Sequence, residues 1–240
     1  MAPGKKRSTA EDEPEQPAKR TKLEYTDVFT VLVGEEKNEF MLHASIATKH
    51  SKFFKAACNG GFREAQDKVT HLPEVSPATF RAYVQWIYSG TVVVMDSEEL
   101  RSDYKGDQTS ERQMRLMKLY VLADVLLDTL LRNKVIDEYL QCCRSAGGAG
   151  PVTIGLVYEH TPAGSTMRKL LLDENAYNIR ERTSWLEECR DQFNIDFLRD
   201  LVIAISKGHT KGSAENPWTS QPCRYHEHDD EFPRCNGREK

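Results

Sequence analysis

The chain is 240 residues long, 39% hydrophobic and 29% charged, with charges that nearly cancel to a formal −4 at pH 7. That length supports one sizeable core with room for a smaller helical extension, and the charge balance points away from a globally basic nucleic-acid binder. No run of about 18 apolar residues occurs, so no membrane partner is expected.

The first residues, MAPGKKRSTAEDEPEQPAKRTK, lack the apolar stretch of a signal peptide. Six cysteines in such a chain read as free thiols. A soluble protein of the nucleus and/or cytoplasm is therefore expected. Residues 1–24 carry too little apolar surface to offset the entropy of ordering and read as a disordered tail. The clusters Lys5-Lys6-Arg7 and Lys19-Arg20-Thr21-Lys22 have the spacing of a bipartite nuclear import signal; a solubilising tail is the alternative.

Order is expected from YTDVFTVLVGEEKNEFMLHA. Phe29, Val31 and Val33 alternate with Val28, Thr30 and Leu32, which suggests a strand buried on both faces. Gly34 to Asn38 reads as a turn and Phe40 to His43 as the return strand of a hairpin. ASIATKHS then gives one short helix, Ser51 caps a second (SKFFKAAC), and DKVTHLP gives a third strand stopped by Pro73. In SPATFRAYVQWIYSG, Ser76 reads as N-cap and Pro77 as the first helical residue, and Phe80, Tyr83, Val84, Ile87 and Tyr88 form a helical stripe. TVVVM follows as an expected strand, and Asp96 to Gln113 as an exposed polar insertion. MRLMKLYVLADVLLDTLLRNKVIDEYLQCC supplies two helices, and Gly147 to Pro151 a linker or sharp turn. Beyond it VTIGLVYEHTP, STMRKLLLDENAY, TSWLEECRDQF and NIDFLRDLVIAIS read as further helices, followed by a polar tail.

These elements carry a resemblance. The run Asp27 to Val33, Phe40-x-Leu42-His43, Ser51-x-x-Phe54, Gly61-Phe62-x-Glu64, Val69, Leu72, Phe80, Trp86-Ile87-Tyr88-x-Gly90 and Leu119-Tyr120-x-Leu122-Ala123-Asp124 resembles a BTB/POZ domain over roughly Tyr25 to Cys143. Wording and the long helical extension are closest to fungal members. The resemblance implies an α+β, mostly helical fold: a helical cluster flanked by a small three-stranded sheet plus short strands, with an α-helical C-terminal extension. The expected bounds are a tail over 1–24, the BTB/POZ domain over 25–146, the extension over 151–207 and a polar Cys/His-containing tail over 208–240. It further implies a protein-interaction module that self-associates, recruits regulators, or holds a cullin-type ubiquitin ligase next to a substrate.

Most of the motif residues read as core: Phe40, Leu42, Phe54, Leu72, Phe80, Trp86 and Tyr88 fall on faces expected to be buried. His43 reads as a hydrogen-bonded structural residue rather than a catalyst. The family's transcription-factor dimers set a charged pocket around an aspartate and a basic residue just after the histidine. Here the aspartate is Asp27 but the second position is Ala44, so pocket-type recruitment is in doubt. KRTKLEYT is also too short and charged for the strand those dimers exchange, which leaves a smaller helix-to-helix homodimer open. Phe62-Arg63-Glu64 matches the cullin-contacting pattern of a hydrophobic residue, any residue and Glu after the second helix. An exposed Phe there anchors and Glu orients; the alternative packs Phe62 inward.

In the tail, Cys223, His226, His228 and Cys235 are ligand types that tetrahedral zinc accepts. Their Cys-x-x-His-x-His spacing is not that of a standard finger, and a polar tail or a local clasp against the extension are the alternatives. No cofactor other than such a zinc is expected. Catalytic patterns are wanting: GHTKGS at 208–213 lacks the spacing of a phosphate loop, no Gly-x-Ser-x-Gly or His-Glu-x-x-His occurs, and adjacent Cys142 and Cys143 make a poor redox pair. The expected function is a non-enzymatic protein-interaction scaffold, concretely a cullin-type ubiquitin-ligase adaptor whose client binds the extension or the tails. The alternatives are a nuclear transcription-linked scaffold and a zinc-stabilised nucleic-acid binder.

Overall fold

The computed structural model describes residues 27–59, 68–95, 108–209, 216–228 and 235. Strands β1 (Val28–Val33) and β2 (Asn38–His43) form the expected hairpin, with Val28 opposite His43 and Val33 opposite Asn38. Its turn holds Gly34 at φ +75° and Lys37 at φ +54°, and glycine takes the first of these left-handed positions without a Cβ penalty. Strand β3 (Val69–Leu72) pairs in parallel with the other side of β1, giving the order β2-β1-β3. Parallel neighbours need a long crossover, and α1 (Ala44–His50) and α2 (Lys52–Asn59) lie within it.

Burial on β1 falls on one face. Phe29, Val31 and Val33 are buried while Val28 is 42% exposed, so the expectation of two buried faces is corrected. A sheet closed by helices on one side leaves its other side half in water. Ser51 acts as expected: its hydroxyl accepts from the Phe54 N–H (3.0 Å) and donates to the Leu126 carbonyl (2.6 Å).

Helix α3 (Pro77–Ser89) starts at the Ser76 cap, whose Oγ accepts from the Thr79 N–H, and ends at Gly90 with φ +70°. It buries Phe80, Ala82, Tyr83, Trp86 and Ile87. Tyr88 was expected among them and is 45% exposed. Eight residues on from Phe80, at 3.6 per turn, it has rotated about 80° away from the Tyr83 side of the stripe. The strand expected in TVVVM is also absent among the described residues. Val92 and Val94 pack on the core, and the Val94 carbonyl accepts from Arg115 Nη1 (3.0 Å) rather than joining a ladder.

Helix α4 (Gln108–Val125) begins inside the stretch expected to be exposed. Gln113 is buried, with Nε2 donating to the Gly147 carbonyl (2.8 Å), so the insertion ends before it. Helix α5 (Thr129–Ala146) follows after Leu127 at φ +54°. Gly147 to Pro151 is a packed turn: Ala149 is buried and its N–H donates to the Tyr139 hydroxyl (3.0 Å).

The extension contains α6 (Pro151–His160), α7 (Thr166–Tyr177), α8 (Thr183–Glu188) and α9 (Ile195–Ser206). Helix α6 packs on α4 and α7, and α9 packs on α7. One apolar core therefore runs from β1 through Leu119 and Ile154 to Phe197 and Leu201. Residues 216–228 do not behave as the polar tail expected of 208–240. They form α10 (Pro217–Ser220) and a 3-10 turn over Pro222–Tyr225, Trp218 meets Tyr177 edge-on, and Tyr225 is fully buried. Two large aromatic faces dock a segment whose average composition is polar. No helix among the described residues is long and apolar enough to cross a membrane.

Candidate functional site

Asp27 and Ala44 come together at the open end of the hairpin, where the Ala44 N–H donates to the Asp27 carbonyl (2.8 Å). Both line a small cavity of about 30 Å3 with Phe29, Ala57, Cys58, Lys68 and Thr70. The aspartate is not unpaired. Lys68 Nζ reaches Asp27 Oδ1 at 2.5 Å, so a basic residue at the entrance to β3 supplies the charge that Ala44 lacks. Lys68 is far from Asp27 in sequence, and only the parallel pairing of β1 with β3 brings them together. Burial raises the Cys58 thiol pKa beside this pair, with the Asp27 charge acting in the same direction.

His43 sits at the β2–α1 corner. The Tyr88 hydroxyl accepts from the His43 N–H (3.1 Å) and lies 2.8 Å from His43 Nδ1, to which its own proton can be donated. That places His43 in a structural tie between β2 and α3 and explains why Tyr88 faces outward. Phe62, Arg63 and Glu64 lie outside the described residues, in the segment joining α2 to β3. Lys5, Lys6, Arg7, Lys19, Arg20 and Lys22 lie outside them as well.

A wide cleft of about 640 Å3 is lined by Met114 and Lys118 of α4, Val152, Leu156 and Glu159 of α6, and Phe193. Cys142 is buried and Cys143 half-buried, and burial, then the Glu174 carboxylate, raise the Cys143 pKa well above the ordinary thiol range. Such a thiol is a poor nucleophile at neutral pH.

The four tail residues converge. One donor atom from each of Cys223, His226, His228 and Cys235 lies within 4.8 Å of all the others. Cys223 Sγ is 3.1 Å from His228 Nε2, and Cys235 Sγ is 3.2 Å from His226 Nδ1. The opposite edge of the His226 ring is also engaged, with Nε2 3.1 Å from Asp137 Oδ1 on α5. Burial raises the Cys235 pKa, and the neighbouring Cys223 raises it further.

Between these ligand types, the intervening residues fasten the segment to two helices. Tyr225 donates its hydroxyl proton to Asp173 Oδ2 on α7 (2.9 Å). The Glu227 N–H donates to Asn133 Oδ1 and its carbonyl accepts from Asn133 Nδ2, both at 2.9 Å, while its carboxylate takes Arg132 Nη2 at 2.5 Å. Residue type flagged the ligands in the sequence; the partners Asp137, Asn133 and Asp173 carried no sequence signal because they lie 52 to 94 positions upstream.

Comparison with known proteins fits this architecture. Residues 17–126 match the family model for the BTB/POZ domain. The chain is 35% identical over 75 residues to Kelch repeat and BTB domain-containing protein 4 of Homo sapiens and of Pongo abelii, and 33% identical over 75 residues to that of Mus musculus. The aligned segment is 31% of this chain and 14% of each relative's length. Residues 17–126, a little under half of the chain, are thus similar to the BTB/POZ domain.

Proposed function

We propose that this chain is a protein-interaction scaffold, a substrate adaptor for a cullin-type ubiquitin ligase, binding the cullin through the segment between α2 and β3. The observation that carries the reading is the sequence Phe62-Arg63-Glu64, which falls between α2 and β3 along the chain and inside the residues that match the BTB/POZ model. An aromatic anchor flanked by an orienting carboxylate is the composition expected of an interface hot spot. The relatives join a BTB domain to kelch repeats by name; in this chain the extension over 151–207 or the tails would hold the client. The scaffold needs no catalysis and acts in the nucleus and/or cytoplasm, alone or as a homodimer.

Calorimetric titration of the full chain with a cullin N-terminal domain tests this, beside a Phe62→Ala/Glu64→Ala variant. Micromolar or tighter binding that the variant abolishes is expected. Folded wild-type protein that releases no heat of binding would overturn it.

One observation favours a second reading, a nuclear transcription-linked scaffold. The Asp27–Lys68 pair puts opposite charges at the pocket that Ala44 leaves without a cation. On that reading Lys68→Ala abolishes recruitment of a regulator while cullin binding is unchanged.

A further inference from the structure

We propose that Cys223, His226, His228 and Cys235 bind one zinc ion, which helps hold the C-terminal segment against α5 and α7. This stands whether or not the chain binds a cullin.

The geometry comes first. A tetrahedral zinc with Zn–S of ~2.3 Å and Zn–N of ~2.0–2.1 Å spaces its ligand atoms about 3.3–3.8 Å apart. The two sulfur–nitrogen distances, 3.1 and 3.2 Å, fall just short of the lower end of that range, and all four atoms lie within 4.8 Å of one another. Small side-chain rotations bring them to coordination distance.

The donor chemistry selects the metal. Two thiolates and two imidazoles are ligands for zinc rather than for magnesium or calcium, which take oxygen. Two thiolate charges neutralise the dication, which answers the mutual repulsion that two close thiolates would otherwise suffer.

The surroundings are built for ligation as well. A zinc-bound histidine usually donates its other ring N–H to a carboxylate, which fixes tautomer and orientation. His226 meets that requirement: Nδ1 faces Cys235 and Nε2 faces Asp137. Its side chain is only 9% exposed, so the ring cannot swing into solvent without breaking the contact.

The sequence 223–228 thereby serves two purposes in alternation. Residues 223, 226 and 228 turn to the metal, while Tyr225 and Glu227 turn to Asp173 on α7 and to Arg132 and Asn133 on α5. Cys235 supplies the fourth ligand. The ion's part is structural, stapling the tail across the seam between the first domain's last helix and the extension.

The test uses the full chain, purified with thiols reduced. Elemental mass spectrometry should find one zinc per chain, and cobalt exchanged into the site should give tetrahedral visible bands with thiolate charge transfer. Cys223→Ser/Cys235→Ser should lose the metal and speed hydrogen exchange over residues 223–228, leaving α1 to α4 protected. Asp137→Asn should keep the stoichiometry with about 10- to 100-fold weaker affinity. Folded wild-type protein that neither carries zinc nor takes it up on titration would overturn the proposal. So would a Cys223–Cys235 disulfide found in protein from reducing cells, or equal zinc content in the double-serine variant. If that variant fails to fold, the cobalt spectrum of the wild type decides alone.

Discussion

Trp86 and Asp128 meet 3.1 Å apart in the buried seam where α3 passes the start of α5, the indole Nε1–H donating to Oδ2. The other carboxylate oxygen caps α5 by accepting from the Leu131 N–H at 2.9 Å. One buried side chain thus satisfies an indole from one helix and an orphan amide of another, and a shift of α3 along α5 would break the bond to Trp86.

That arrangement makes stability depend on pH in a defined direction. Burial raises the Asp128 pKa from 3.8 to about 6, against the lowering effect of the Leu131 N–H, Trp86 and Arg132. A carboxyl with a raised folded pKa binds its proton more tightly in the folded state. Its contribution is fully present below about pH 4 and is lost as pH rises through about 6, a change of roughly 3 kcal/mol. Asp128→Asn sets an NH2 donor where one carboxyl oxygen stood, so the N–H of Trp86 or of Leu131 loses its acceptor at about 1–3 kcal/mol. The variant should be clearly less stable than wild type at low pH and close to it, or better, at neutral pH. Urea unfolding of both proteins at the two pH values measures this; a gap of constant size would sink the account.

A second buried carboxylate behaves differently because it is paired. Glu174 accepts from the Tyr139 hydroxyl (2.7 Å) and from Arg182 Nη2 (2.8 Å), while Arg182 Nη1 donates to Asn175 Oδ1 (2.5 Å). Burial still raises the Glu174 pKa, with Arg182 opposing it. Arg182→Ala would strand the carboxylate inside the extension and should cost about 3–5 kcal/mol. The packing leaves no room for adjustment at Gly148, where an added Cβ would fall 1.5 Å from Glu174 Oε1. Thermal unfolding of Arg182→Ala should show a loss that Arg182→Ala/Glu174→Gln partly recovers. An equal loss in the double variant would mean packing, not the stranded charge, sets the cost.

Much of this fold was legible because it is local. The hairpin, both short helices, the Ser51 and Ser76 caps and the stripe Phe80–Tyr83–Ile87 are fixed by residues within a turn or two of one another. What escaped depends on partners far along the chain. Lys68 neutralises Asp27 only because β3 lies parallel to β1. Gln113 reads as surface until the Gly147 carbonyl is brought to it. TVVVM has every strand preference and no ladder, since propensity does not supply a neighbour. Asp128 was not singled out in the sequence: its cap to Leu131 is local, but its bond to Trp86 spans 42 positions. In the Cys/His tail, residue type alone marked the candidate ligands, while their convergence required the docking of Tyr225 and Glu227 between them.

That docking rests on Tyr225, and its removal should separate the tail from the body without unfolding the chain. The ring is fully buried, packed beneath Lys169 and against α7, and its hydroxyl reaches Asp173. Loss of a large buried aromatic to alanine ordinarily costs about 3–5 kcal/mol. Here the tail can detach instead, so the global loss is capped at whatever docking contributes, and the rest appears as local opening. Tyr225→Ala should therefore unfold near the wild-type midpoint while hydrogen exchange over 216–228 accelerates strongly. Tyr225→Phe, which keeps the ring and leaves Asp173 to Arg224 at 3.3 Å, should lie between the two. Limited proteolysis followed by mass measurement reads the difference: the alanine variant should be cut between α9 and α10, with the body through Ser206 surviving. If wild type and alanine variant are cut at the same rate there, the segment is not held by this residue.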